Sequence, residues 1–269
     1  MATIDRSIAI IGAGSMGGAI AGGLVASGAI DSARIWVLDP SDAAVAPLEE
    51  RGIHRAGSLE ELVALGTDVT VLAVKPQVLP AVLSQLSDSL ADRLVVSIAA
   101  GVRLATLQTG LPGARVVRVM PNLPLQVLSG ATAVCPGTTA TGEDAELGRS
   151  LFAALGSAQV MTEAQLDVAG AVTGCGPAFF ALFVDDLTRA GVRAGLPAAA
   201  CREMVLATMR GVAQQLLDSG DHPRAYLERV TSPGGTTAAA LEELECDLFV
   251  ATGAAIDAAL ERTRELAKA

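Results

Sequence analysis

The sequence predicts an N-terminal α/β domain on a doubly wound sheet, followed by a part made only of helices. Three observations predict this. The apolar run Ile8-Ala9-Ile10-Ile11 flows directly into Gly12-Ala13-Gly14-Ser15-Met16-Gly17, the order of a buried parallel strand, a tight turn and a helix start. Strand-like runs then alternate with helical stretches as far as residue 161. After Glu163 the β-branched runs stop and helical spacing takes over.

The glycines assign a function to the first turn. Gly12 permits the turn, Gly14 lets a pyrophosphate approach the backbone, and Gly17 lets the helix lie close to the strand. The free N–H groups of Gly14, Ser15 and Met16 would face the phosphates. Residues 19–27 continue the helix, and Gly28 stops it. A second strand, 34–38, ends at Asp39, 25 residues after Gly14, where such a fold places an acid on the adenosine ribose. The competing role for Asp39 is a turn former before Pro40. A short helix at 41–50, a minor strand at 52–54 with an exposed His54, and a helix capped by Ser58 follow. The strand at 69–74 runs into Val74-Lys75-Pro76 at the carboxyl edge, where open α/β sheets bind ligands; a solvent-facing lysine is the bland reading. The strand at 94–98 leads into Ala99-Ala100-Gly101, small enough to admit a flat ring. The strand at 116–120 ends in Pro121-Asn122-Leu123-Pro124, which holds Asn122 either for a ligand or as a rigid turn. A strand at 131–134, a helix at 143–155 and a strand at 159–161 complete a Rossmann-like dinucleotide-binding domain over residues 1–162.

Residues 163–269 form the second domain. The stretch 163–190 reads as one helix, or two joined at Gly176-Pro177. Cys201, Val205, Met209, Val212 and Leu216 recur at spacings of three and four and make an apolar stripe suited to core or subunit interface. Residues 238–267 are the last helical region. Before it lies Val230-Thr231-Ser232-Pro233-Gly234-Gly235-Thr236-Thr237, which combines hydroxyls, a proline, two glycines and a helix start. Such a loop presents backbone N–H groups and a threonine hydroxyl to a small carboxylate.

Composition excludes several classes. The net charge of -10 and 3% aromatic content argue against nucleic acid. Cys135, Cys175, Cys201 and Cys246 have no paired metal spacing, and only His54 and His222 are available, so no metal site is expected. The cysteines read as reduced and mostly buried, as in a cytoplasmic protein. Asp5 and Arg6 precede a strand rather than an export signal. The most lipid-like stretch, 168–184, is broken by Gly174, Gly176 and Pro177 and ends at Asp185-Asp186. It reads as a buried helix pair or an interface, not a membrane span.

Over essentially its whole length the chain resembles pyrroline-5-carboxylate reductase. The matching pieces are residues 11–17, Val74-Lys75-Pro76-Gln77, Val96-Ser97-Ile98-Ala99-Ala100-Gly101, Val117-Arg118-Val119-Met120-Pro121-Asn122 and residues 230–237. The last is the most specific. The resemblance implies reduction of the cyclic imine 1-pyrroline-5-carboxylate to L-proline with NADPH or NADH. It also implies a helical dimerisation domain, with the active site between the domains, a homodimer and, in some relatives, a decamer. It places the substrate carboxylate on Ser232, Gly234, Gly235, Thr236 and Thr237, and the Thr237 hydroxyl beside the imine nitrogen. The pieces depart from the family at Ser15 (commonly Asn), at Leu123 (commonly Thr) and at Thr173-Gly174-Cys175-Gly176-Pro177-Ala178-Phe179 (usually Ser-Gly-Ser-Gly-Pro-Ala-Tyr). Thr173 keeps a hydroxyl for the substrate, whereas Cys175 and Phe179 lose one. These departures keep two alternatives open: a reductase of another cyclic imino acid, such as a six-membered ring, and a non-catalytic nucleotide-binding scaffold. Family members often favour NADPH; Asp39, with no adjacent basic residue, points toward usable NADH.

Overall fold

A computed structural model describes residues 3–87 and 89–266. The ends of the two expected domains, 1–2 and 267–269, lie outside the described residues. The alternation read from the sequence forms one eight-stranded sheet in the order β3-β2-β1-β4-β5-β6-β7-β8. Its strands are β1 (Ile8–Ile11), β2 (Ile35–Leu38), β3 (His54–Arg55), β4 (Val69–Leu72), β5 (Leu94–Ser97), β6 (Arg115–Met120), β7 (Gly130–Pro136) and β8 (Gly156–Val160). From β1 the strands are added outward to one side as far as β3 and then, from β4, to the other, so the switch point lies between the parallel neighbours β1 and β4, beside the glycine turn.

The helices cover both faces, so the central strands are buried on both sides and read as mainly apolar runs, with Thr70 and Ser97 as buried polar members. Ile8 and Ile10 of β1 pack with Ile20 and Leu24 of α1 (Ser15–Ala26) and Phe152 of α6 (Gly142–Ala153). Ala9 and Ile11 face the other way, toward Leu79, Leu83 and Leu86 of α4 (Leu79–Leu86) and Leu107 of α5 (Leu104–Gly110). Burying a side chain of this size contributes about 1.5–3 kcal/mol. Two shorter helices, α2 (Asp42–Glu49) and α3 (Leu59–Ala64), complete the layers. Ser58 caps α3 by accepting from Glu61 N at 3.2 Å, while the Glu61 carboxylate accepts from Gly57 N at 2.7 Å. His54 is exposed, as expected, and stacks on Trp36 with ring centroids 5.2 Å apart.

The sheet is mixed, because β7 runs antiparallel to β6, and two expectations need correction. Residues 121–129 are too few for a parallel crossover, and they form a 3-10 turn at Leu123–Val127 instead. The helical run after Glu163 is interrupted earlier than Gly176-Pro177. α7 (Glu163–Ala169) passes through a π-helical segment, Gly170–Gly174, into α8 (Gly176–Arg193). Pro177 sits in the first turn of α8, where its missing N–H costs nothing. Finally, only Cys135 and Cys201 of the four cysteines are buried; Cys175 is half-buried and Cys246 exposed.

Two compact units emerge: residues 3–175 with 260–266, and residues 176–259. The second contains α8, α9 (Ala198–Ser219), α10 (Pro223–Val230) and most of α11 (Thr236–Leu266). Cys201, Val205, Met209, Val212 and Leu216 are the more sheltered residues of α9, and α9 packs on α8. A Cβ at Gly191 of α8 would stand 2.5 Å from Cys201 Sγ, so that glycine permits the close approach. Outside that contact the unit leaves large apolar side chains exposed, among them Phe180, Leu182, Leu217, Phe249 and Val250.

Candidate active site

The glycine turn is shaped by contacts that exclude side chains. Gly12 has φ +99°, and a Cβ there would lie 2.8 Å from the carbonyl carbon of Ala73 at the end of β4. A Cβ on Gly17 would lie 1.9 Å from the carbonyl oxygen of Gly12. Gly14 has nothing within 4 Å of its Cβ position, and no side chain caps the first turn of α1. The turn therefore offers uncapped N–H groups beneath open space. These residues fit a dinucleotide pyrophosphate.

Asp39 stands at the end of β2 and braces this turn. Its carboxylate accepts from Ala13 N at 2.8 Å with one oxygen and from Ser41 N at 2.8 Å with the other. The turn-forming role is thus present in the structure, and the side chain remains half-buried at the rim. Ser15 is exposed, with its hydroxyl 3.4 Å from Gln126 Nε2. Val74 is half-buried; Lys75 and Pro76 are exposed beyond the end of β4, where the Lys75 carbonyl accepts from Val78 N at 2.9 Å.

A cavity of about 370 Å³ lies at the carboxyl ends of β5 and β6. Met16, Gly101, Met120, Asn122, Asp167 and Cys175 are among the residues that line it. Ala99 is buried, Ala100 and Gly101 line the cavity, and Gly101 has φ +76°. The Asn122 amide is held at both ends: Oδ1 accepts from Ala131 N at 2.8 Å, and Nδ2 donates to the Thr173 carbonyl at 3.0 Å. Its side chain is thus committed within the protein, and what it fixes is the spacing of β7 and the π-helical segment. The Thr173 hydroxyl donates to the Ala169 carbonyl at 2.8 Å.

Sequence reasoning missed the polar knot beside this cavity. Arg118 of β6 is buried and donates to Glu163 at 2.8 Å and Asp167 at 2.9 Å, both on α7. The same Glu163 oxygen accepts from Leu104 N at 2.7 Å, which ties α5 to the knot. The available signal was an arginine inside the apolar run of 115–120, since buried charges occur paired. Behind it, burial pushes the Cys135 thiol up, Glu163 and Asp167 push further, and Arg118 opposes them.

The loop 231–237 lies in the helical unit. The Ser232 carbonyl accepts from Gly235 N at 2.9 Å, Pro233 follows it, and Gly234 has φ +69°, the signature of a type II turn. Ser232 and Gly234 are exposed, and α11 starts at Thr236, so the first-turn N–H groups and the half-buried Thr237 follow the turn directly. Among the described residues no group of three or more His, Cys, Asp or Glu is placed to hold a metal.

A glycine turn at the switch point of a doubly wound sheet, a ring-sized cavity beyond it and an appended helical unit define the class: a dinucleotide-dependent oxidoreductase with a helical second domain. The chain belongs to the pyrroline-5-carboxylate reductase family. Residues 163–266 match the family model described as pyrroline-5-carboxylate reductase dimerisation, and residues 7–101 match one described as NADP oxidoreductase, coenzyme F420-dependent. The chain is 38% identical to the pyrroline-5-carboxylate reductase of Escherichia coli K12, over 98% of this chain and 100% of that one. The structure of a pyrroline-5-carboxylate reductase from Coxiella burnetii superposes with a TM-score of 0.93 at 33% identity, over 99% of this chain and 100% of that one. The Plasmodium falciparum enzyme, solved with NADP bound, gives 0.85 at 28% identity over 99% and 100%. The run Glu163–Arg193 is long and apolar enough to cross a membrane by length and composition, yet it falls within the dimerisation match.

Proposed function

We propose that this protein reduces 1-pyrroline-5-carboxylate to L-proline, the last step of proline biosynthesis, with NADPH or NADH as the reductant. The observation that carries the reading is the likeness to pyrroline-5-carboxylate reductases over 98–99% of the chain, which takes in both the glycine turn and the 231–237 loop. We assign residues 1–162 to cofactor binding and 163–269 to dimerisation and substrate binding. Gly12, Gly14, Ser15 and Met16 hold the pyrophosphate, and Asp39 stands at the ribose. Val74, Lys75 and Pro76 form the rim, and Ala99, Gly101 and Asn122 shape the nicotinamide end. When bound, the reduced cofactor supplies the hydride that adds to C5 of the imine.

Ser232, Gly234, Gly235 and Thr236 hold the substrate carboxylate through backbone donors and hydroxyls, with Thr173 contributing a further polar contact. The Thr237 hydroxyl donates to the nitrogen of the neutral imine, and accepts from its N–H once the nitrogen is protonated. The free imine is already basic enough to protonate near neutral pH, so Thr237 acts chiefly by positioning. Cofactor oxidation and proline formation are measured with the purified protein. Thr237→Ala and Thr237→Val should lower kcat/KM by about 10- to 1,000-fold with Tm little changed. Unchanged turnover in both removes Thr237 from this role. Equal or better kcat/KM with a six-membered imino carboxylate would reassign the substrate, a reading that Cys175 at the cavity wall keeps specific. We place the enzyme in the cytoplasm as a homodimer; sedimentation separates that dimer from a decamer built of five.

A further inference from the structure

Among the described residues that line the cavity at the ends of β5 and β6, Asp167 has a carboxylate oxygen that accepts no hydrogen bond. Arg118 is satisfied by two carboxylates, the Asn122 amide by Ala131 and Thr173, and Thr263 has a partner of its own. Asp167 also lines the cavity. One of its oxygens accepts from Arg118 at 2.9 Å; among the described residues the other has no hydrogen-bond partner, and the side chain is 28% exposed. One guanidinium and two carboxylates leave the knot with one uncompensated negative charge. Arg103 and Arg264 line a neighbouring cavity of about 290 Å³ that Asp167 also borders, but they do not line this one.

We propose that Asp167 is a catalytic residue of the reduction, its free oxygen turned to the nicotinamide ring, with Arg118 as the residue that positions it. The inference rests on the reductase reading above. In the reaction the C4–H bond of the reduced ring breaks and its electron pair leaves with the hydrogen to C5 of the protonated imine. The π pair of that C=N bond settles on nitrogen, and the ring is left cationic. A carboxylate on the ring's side of the cavity interacts more strongly with the cationic ring than with the neutral one. It therefore stabilises charge that develops during hydride transfer, which is the differential interaction that raises kcat. The contact is strengthened by the apolar wall around it.

The test is direct binding of NADPH and NADP⁺ to the full-length protein and to Asp167→Asn, Asp167→Ser and Glu163→Gln, with Tm measured for each. Both Asp167 variants should weaken NADP⁺ by about tenfold and NADPH by less than about twofold, and kcat should fall. Glu163→Gln loosens the same knot from outside the cavity, so it should lower Tm and leave the NADP⁺/NADPH affinity ratio unchanged. Equal losses of both cofactors in the Asp167 variants, no loss of either, or the same selective loss in Glu163→Gln would each overturn the assignment. If the unmodified protein binds neither cofactor, the reductase reading falls and this inference with it.

Discussion

Asp39 shows how one carboxylate serves two ends. Its bonds to Ala13 N and Ser41 N fix the glycine turn and the start of the following segment, yet each oxygen keeps a lone pair for the ribose hydroxyl of the role proposed above. In that proposed role its charge would also oppose a 2′-phosphate, and no basic neighbour follows in Leu38-Asp39-Pro40-Ser41. Asp39→Ser should therefore shift the kcat/KM ratio toward NADPH by about tenfold. It should also weaken both cofactors by a common factor, because Ala13 N loses its acceptor. Steady-state kinetics with both cofactors checks this, and a ratio unchanged by the substitution excludes Asp39 as the selector. The position of Asp39 at a strand end was legible in the sequence. Its bond to Ala13 was not, because the two residues meet only when β2 lies beside β1.

At the scale of elements, the glycine turn and α1 behave as one rigid piece. Gly17 is required by the carbonyl of Gly12, which a methyl group would meet at 1.9 Å. Gly17→Ala must push α1 away from β1, an overpacking that costs about 1–3 kcal/mol or more and opens the phosphate turn. The expected result is a Tm lower by several degrees and a loss of cofactor binding larger than the loss of stability accounts for. Titration calorimetry beside thermal melts checks it. Full cofactor affinity in that variant would show that the turn tolerates displacement. The π-helical segment Gly170–Gly174 was illegible in the residues. Its composition suits an ordinary helix with small side chains, and the extra residue per turn accompanies tertiary contacts: the Thr173 carbonyl receives the Asn122 amide, and Met120 lies 3.2 Å from the Cβ position of Gly174.

For the whole molecule, the helical unit explains itself only as half of an interface. Phe180, Phe183 and Leu187 recur along α8 at spacings of three and four, and all three are exposed in the single chain. An unpaired apolar stripe of this kind is what a dimerisation segment leaves when one protomer is viewed alone. Phe180→Asp should place a charge in that contact and convert the dimer to monomer, with activity lost in proportion. Analytical ultracentrifugation reads the outcome, and an unchanged dimer would locate the interface elsewhere on α8–α11.

The sequence by itself determined the class of the fold, the place of the glycine turn and the change to all-helical structure after Glu163. Each of these is written in local periodicity and in glycines that only one backbone path accommodates. Contacts between residues far apart in the chain decided the rest. The antiparallel β7 follows from a connection too short to cross over and from pairing with β6. The commitment of Asn122, the brace at Asp39 and the Arg118–Glu163–Asp167 knot arise where strand ends and α7 converge. A side chain's partners across the sheet leave no trace in its own neighbours along the chain, so only the tertiary structure shows which charges are satisfied and that, among the described residues, one oxygen of Asp167 is not.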